Sequence, residues 1–219
     1  NQQVISEAAK FGKAGTIIVD TCTIGKEAAL ENAKVLNANG IEYIDSPVSG
    51  LQFRAMEGTL TSMVAGPKKF VKRAKKMIES YSKIFLFISE NPGDGQCMKL
   101  VNNALAVSSF VTTSEALIYG ESEGLSIEKM LDSINASSGQ NFCTSEIFPK
   151  YVLTHKYDES GSEAHIIEKD LKLFLAASRK KGTPNQTVSK AFDSIKALAD
   201  NDQQQDMMRI YPFLKDKLG

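Results

Sequence analysis

Tryptophan is absent from the 219 residues, histidine occurs twice and cysteine three times. His155 and His165 are ten apart, and Cys22, Cys97 and Cys143 are few and scattered along the chain. Neither the close Cys/His spacing of a zinc site nor the paired cysteines of a disulfide framework is present. No metal is expected, and a reducing, cytoplasmic setting is. Charge of one sign is also missing: 26 basic and 26 acidic side chains cancel, leaving no net field to attract nucleic acid or an anionic membrane. No apolar run approaches the ~20 residues of a membrane span, and the first residues carry no signal-peptide pattern. Internal repeats and low-complexity stretches are lacking too. The chain opens Asn1-Gln2-Gln3 inside a helical pattern that leads into a strand, so it is expected to be a piece of something longer.

What is present is an ordinary globular composition with 42% hydrophobic residues, enough for one large core or two smaller ones. The most informative stretch runs from Gly93 to Asn103, Gly-Asp-Gly-Gln-Cys-Met-Lys-Leu-Val-Asn-Asn. A glycine turn there opens a proline-free segment, residues 95–124, whose Ala, Leu, Val, Met and Glu recur at helical spacing, so one long helix is predicted. Lys99 and Asn103, four apart, share a face of it, while Cys97, Val101 and Leu105 share another. The segment from Leu100 to Ser114 carries no charge, which places Lys99 at the edge of a buried run. An ammonium near a helix N-terminus and beside apolar groups is disfavoured by both surroundings, and the expected result is a lowered pKa suited to proton donation.

Ahead of this helix the pattern is α/β. A helix over residues 2–13 leads to a buried strand ending at Asp20. A second helix, residues 26–39, closes at Asn39-Gly40, and a strand over residues 41–45 follows. Strand, helix, strand of these lengths makes a right-handed parallel crossover. Ser46-Pro47-Val48-Ser49-Gly50 then lies at the carboxyl end of a strand, where open α/β sheets bind ligands. The Ser49 hydroxyl and Gly50 amide could together hold a carboxylate, although Ser, Pro and Gly equally make a plain turn. A strand over residues 60–65, a helix begun by Pro67 and a strand over residues 83–88 complete four strands. The lysines and arginine of the helix after Pro67 read as the solvated side of an element whose inner face is Phe70, Val71, Ala74, Met77 and Ile78. Beyond residue 124 all patterns are helical: 126–135, 163–181, 185–198 and 204–214. Residues 1–94 and 95–219 are therefore the expected domains.

Three segments, Asp20-Thr21-Cys22-Thr23, Asp45 to Gly50 with Gly58-Thr59-Leu60, and Gly93 to Asn103, followed by Lys169-Asp170-Leu171, together resemble the β-hydroxyacid dehydrogenase family. The resemblance spans essentially the whole chain. It implies an NAD- or NADP-dependent oxidoreductase acting on a small carboxylate-bearing substrate, with part of a Rossmann-like parallel sheet joined by a long interdomain helix to an all-α domain. It further implies that Lys99 is the catalytic acid/base, Asn103 orients substrate, Ser49 and Gly50 hold its carboxylate, and Thr23 and Lys169 reach the cofactor. Association through the helical domain, as a homodimer or homotetramer, is implied as well. Departures are Leu51 where the family has a second glycine, and Cys22 and Lys26 where it has serine and proline. The Gly-x-Gly-x-x-Gly loop that grips a pyrophosphate is absent from these residues. Gln96 and Asn102 replace the histidines of 6-phosphogluconate dehydrogenase, and Lys99 argues against imine reductases. A non-catalytic or degenerate helical dimerisation fragment of such an enzyme is the competing reading.

Overall fold

The computed structural model describes residues 1–216. By packing, the chain divides into two compact units, Asn1–Val101 and Asn102–Gly219.

In the first unit, α1 (Gln2–Phe11) stops at Gly12, where a side chain would collide with Ala8 O and Ile41. β1 (Ile17–Asp20) and β2 (Glu42–Asp45) flank α2 (Lys26–Asn37) and pair in parallel from Ile17↔Glu42 to Asp20↔Asp45, as the crossover pattern predicts. Alternation along β2 sends neighbouring residues to opposite faces. Tyr43 joins Ile5, Ala29, Ala33, Leu36 and Ile41 under α1 and α2, whereas Ile44 joins Val64, Val71, Ala74 and Ile78 under α4 (Lys68–Glu79). Helices thus cover both faces.

The sheet is mixed rather than wholly parallel. β3 (Val48–Ser49) and β4 (Thr61–Ala65) pair antiparallel, Val48↔Ser62 and Ser49↔Thr61, and β2 meets β4 antiparallel at Asp45↔Ala65. The cause is the connection: α3 (Leu51–Met56) has six residues, too short for a crossover of a dozen or more that a parallel return requires. α4, with twelve residues, does make one, and β5 (Ile84–Ser89) adds to β4 in parallel.

The long helix is α5 (Asp94–Ser122), 29 residues and so about 44 Å; the division between the two units falls inside it. The second unit continues with α6 (Ile127–Asn135), whose N-cap Ser126 accepts from Lys129 N. A π-helical segment, Cys143–Val152, follows and contains Pro149; no pattern in the sequence predicts it. Asn141 starts it by accepting from the amides of Cys143 and Thr144 at 2.8 and 3.3 Å. Burial pushes the Cys143 thiol up to about 12, which makes it a packing residue. α7 (Ala164–Lys181) ends at Gly182 in the left-handed conformation, and α8 (Gln186–Asn201) packs against it through Leu171, Leu175, Ile195 and Leu198, all buried. The helix expected from residue 204 starts later. Asp206 is an N-cap, accepting from Met208 N and also from Ser160 and Gly161, and only then come a 3-10 turn, Met207–Arg209, and α9 (Ile210–Asp216). Among the described residues no helix is long and apolar enough to cross a membrane.

Candidate functional site

Asp45, at the end of β2, is where the first unit ties its strands to α5. It is fully buried and accepts from Gly93 N at 2.7 Å and Gln96 N at 2.9 Å, satisfying amides that the first helical turn leaves open. The close fit explains both glycines. Gly93 has φ 90 and sits on Lys26; a Cβ at Gly95 would lie 2.4 Å from Met63 O and 2.7 Å from Asp45 Oδ2. These glycines serve packing, and the position that would complete a phosphate loop is Met98. Gln96, also fully buried, turns its side chain the other way: Oε1 accepts from Ile24 N and Gly25 N at 2.9 and 3.1 Å, and Nε2 donates to Cys22 O at 2.8 Å. The loop holding Thr23 is thereby fixed to the helix holding Lys99. Lys26, at the family's proline position, donates to Asp94 Oδ1 at 2.5 Å, a second tie between the starts of α2 and α5 that holds the Asp94 carboxyl below its usual range.

Burial pushes Asp45 up to about 6, although its bonds from Gly93 and Gln96 pull the other way. Unfolded, it would titrate near ~3.9. Between those values the folded protein holds the extra proton, so this group's contribution to stability is full below about pH 4 and is lost as pH rises through about 6, on the order of 3 kcal/mol. Urea titrations of wild type and Asp45→Asn at pH 4 to 7 should show wild type losing ground against the variant across that window. Parallel curves would exclude the linkage.

Ser49 ends β3, and Gly50 follows with φ 145; a side chain there would meet Arg54 at 2.8 Å and Leu60 at 3.1 Å. Leu51 takes φ 60, a conformation that favours glycine. The backbone at the family's second glycine therefore keeps a glycine-like shape while carrying a leucine.

Lys99 is 9% exposed and Asn103, one turn further along α5, is 8% exposed. In the second unit Asn103 Nδ2 donates to Asp170 Oδ2 at 2.7 Å. Asp170 is buried, and its Oδ1 lies 2.9 Å from Lys169 Nζ in a charge contact without hydrogen-bond geometry. Asn103, Asp170 and Lys169 are thus gathered in one unit, and Thr23, Ser49, Gly50 and Lys99 belong to the other. Three residues that sequence reasoning left without a role, Asp45, Gln96 and Asp170, supply the supports. The available signals were an acid closing a strand, a polar side chain between helix-opening glycines, and an acid on the apolar stripe of α7.

A family model described as NAD-binding of NADP-dependent 3-hydroxyisobutyrate dehydrogenase matches residues 93–214, and one described as the NAD binding domain of 6-phosphogluconate dehydrogenase matches residues 1–108. The chain belongs to the β-hydroxyacid dehydrogenase family. It is 32% identical over 172 residues to 2-(hydroxymethyl)glutarate dehydrogenase of Eubacterium barkeri, covering 78% of this chain and 56% of that protein. To 3-hydroxyisobutyrate dehydrogenase of Pseudomonas aeruginosa it is 29% identical, covering 86% and 65%. The chain thus spans little more than half to about two thirds of these relatives. Among solved structures, Mycobacterium tuberculosis 3-hydroxyisobutyrate dehydrogenase with L-serine superposes with a TM-score of 0.88 at 23% identity, over 97% of this chain and 75% of that one, which establishes the fold.

The family's cofactor is NAD(P), and the residues present fit its reactive end. α2 begins after a glycine cap, Gly25, beside the fixed Thr23 loop, and the start of a helix suits an anionic or ribose oxygen. Ser46 Oγ, buried at the end of β2, is without a hydrogen-bond partner. The pyrophosphate grip is not among these 219 residues.

Proposed function

We propose that this chain carries the proton-transfer and substrate-binding part of an NAD(P)-dependent oxidoreductase that interconverts a small 3-hydroxyacid and its semialdehyde or keto acid. In this reading residues 1–94 are part of the dinucleotide-binding domain and residues 95–219 form the helical substrate and dimerisation domain. The observation that carries it is Lys99, buried on α5 one turn from an Asn103 that Asp170 holds in place. A bound nicotinamide would supply hydride to the substrate carbonyl carbon. Lys99 Nζ gives a proton to the carbonyl oxygen and takes it back in the oxidative direction. Asn103 orients that oxygen. Ser49 Oγ and the Gly50 amide hold the carboxylate by charge-assisted bonds, and Thr23 and Lys169 contact the cofactor. The hydroxyacid names of the relatives support the substrate class.

Ser49→Ala tests the carboxylate assignment. KM should rise about tenfold or more for a hydroxyacid and change little for the matching alcohol without a carboxylate. Equal effects on both would mark Ser49 as a turn residue. Cofactor titration separates the enzyme reading from that of a non-catalytic dimerisation fragment, since the latter needs no nicotinamide affinity in any form of the protein.

Self-association is part of the same reading. Ala104, small enough to admit a second helix, is buried within the chain, and the exposed stripe of α5 instead runs through Val101, Leu105 and Tyr119, at 40, 67 and 67% exposure. A homodimer or homotetramer covering that stripe is expected by light scattering, and Leu105→Glu should shift it towards monomer. A monomeric wild-type chain would remove the stripe as an interface.

A further inference from the structure

The outer face of α4 is unlike the rest of this charge-balanced chain. Six of the nine residues from Lys68 to Lys76 are cationic: Lys68, Lys69, Lys72, Arg73, Lys75 and Lys76. All six are exposed. At 3.6 residues per turn they occupy about 160° of the helix circumference, with Lys68, Lys72 and Lys76 in one row and Lys69 and Arg73 in the next. As a merely solvated face this arrangement is unfavourable. Like charges four apart each cost roughly 0.2–0.5 kcal/mol, and Lys68 and Lys69 sit at the positive end of the helix dipole with no acid in the first turn to offset them. Glu90 and Glu79 engage Lys68 and Lys75 at 3.1 and 3.5 Å; among the described residues Lys72 and Lys76 make no ion pair.

Aromatic rings interleave with these cations. Lys69 and Arg73 lie over Phe70 at 5.2 and 5.9 Å, Lys75 over Phe85 at 5.5 Å, and Lys68 over Phe87 at 5.9 Å. Phe70 and Phe85 are half-buried, and Phe87, on the edge strand β5, is 38% exposed. We propose that the outer face of α4 together with β5 is a docking surface for single-stranded nucleic acid. Rows of cations about 6 Å apart can follow the phosphates of one strand, and while Phe70 and Phe85 pack against the core beneath them, the exposed Phe87 ring at their side offers stacking to an unpaired base, the pairing of features that single-strand binders use. A bilayer is the poorer partner, because the apolar stripe of α4, Val71, Ala74 and Ile78, is already spent in the core and cannot insert. The zero net charge of the chain does not weigh against this, since attraction at contact is set by charges within a screening length of about 8–10 Å. Arg73 also reaches Gly15 O, ahead of β1, whereas Thr23 and Ser49 come after the opposite ends of β1 and β2. Failure here leaves the oxidoreductase reading untouched.

Fluorescence anisotropy with a labelled 20-nucleotide oligo(U), a duplex DNA of equal length, and phosphatidylserine vesicles decides the question on this chain. Expected is micromolar binding to oligo(U) at 50 mM salt, falling about 50-fold by 200 mM if four phosphates are neutralised. The triple variant Lys69→Glu, Lys72→Glu, Lys76→Glu should weaken it at least tenfold with a melting temperature equal to or above that of wild type, and Phe87→Ala about fivefold or more. Duplex DNA should bind more weakly. Absence of oligo(U) binding at 50 mM salt, binding equal in the triple variant, or binding to vesicles alone would each overturn the proposal; vesicle binding alone would assign the face to an anionic membrane.

Discussion

Lys99→Ala should lower turnover by about 10² or more, because general acid catalysis contributes roughly that much and no neighbour on the same face of α5 can replace the proton. The next residue there is Asn103, which has no titratable group. Since Lys99 is 9% exposed, the substitution also leaves a gap, so Lys99→Met is the fairer comparison: it refills the volume without the amine. Both variants should keep the wild-type fold by circular dichroism. A small primary amine added to the alanine variant should recover part of the rate, as it would not if Lys99 only supported the helix. Near-normal turnover in either variant would remove Lys99 from the mechanism.

Asn103→Ala and Asp170→Ala should each lower kcat/KM about tenfold or more, and the double variant should be little worse than either alone. The reason is that Asp170 acts on substrate through Asn103: the carboxylate fixes which way the amide points, so once the amide is gone only its charge contact with Lys169 remains. A coupling energy of about 1–2 kcal/mol is expected for such a buried pair. Asp170→Ala carries a second cost, because it leaves the Asn103 amide without its acceptor in a buried setting, and Asp170→Asn is the control that keeps an acceptor in place. Strict additivity of the two alanine substitutions would show that Asp170 has its own contact with substrate or a structural role alone.

Much of this architecture was legible because its cues are local. Asn39-Gly40 follows the end of α2 and Ser126 begins α6, and the apolar period of α4 marks its buried face at Val71, Ala74 and Ile78, although Met77, expected on the same face, is 51% exposed and α1 stops at Gly12, short of the expected residue 13. Lys99, Asn103, Ser49 and Gly50 lie in short contiguous motifs, so the resemblance could reach them. What stayed hidden depends on partners far along the chain. The Asn103–Asp170 bond joins residues 67 apart, and the bond from Gln96 to Cys22 O joins residues 74 apart. No periodicity encodes either. The antiparallel turn of β4 was missed for a related reason: strand patterns give existence but not direction, and only the shortness of α3 decides it. The π-helical segment around Pro149 departs from the 3.6 period on which helix reading relies.

Gln96 has a consequence for motion. Its side chain is the acceptor for the Ile24 and Gly25 amides and the donor to Cys22 O, while its own backbone is held by Asp45. A loop of this kind would ordinarily fluctuate on the nanosecond scale, but here it cannot open without breaking contacts to a buried residue of another element. The amides of Ile24 and Gly25 should therefore exchange with deuterium slowly, at rates set by the opening of the start of α5 and not by the loop itself. Thr23 and Lys99 would then be lost and regained together, as one cooperative unit.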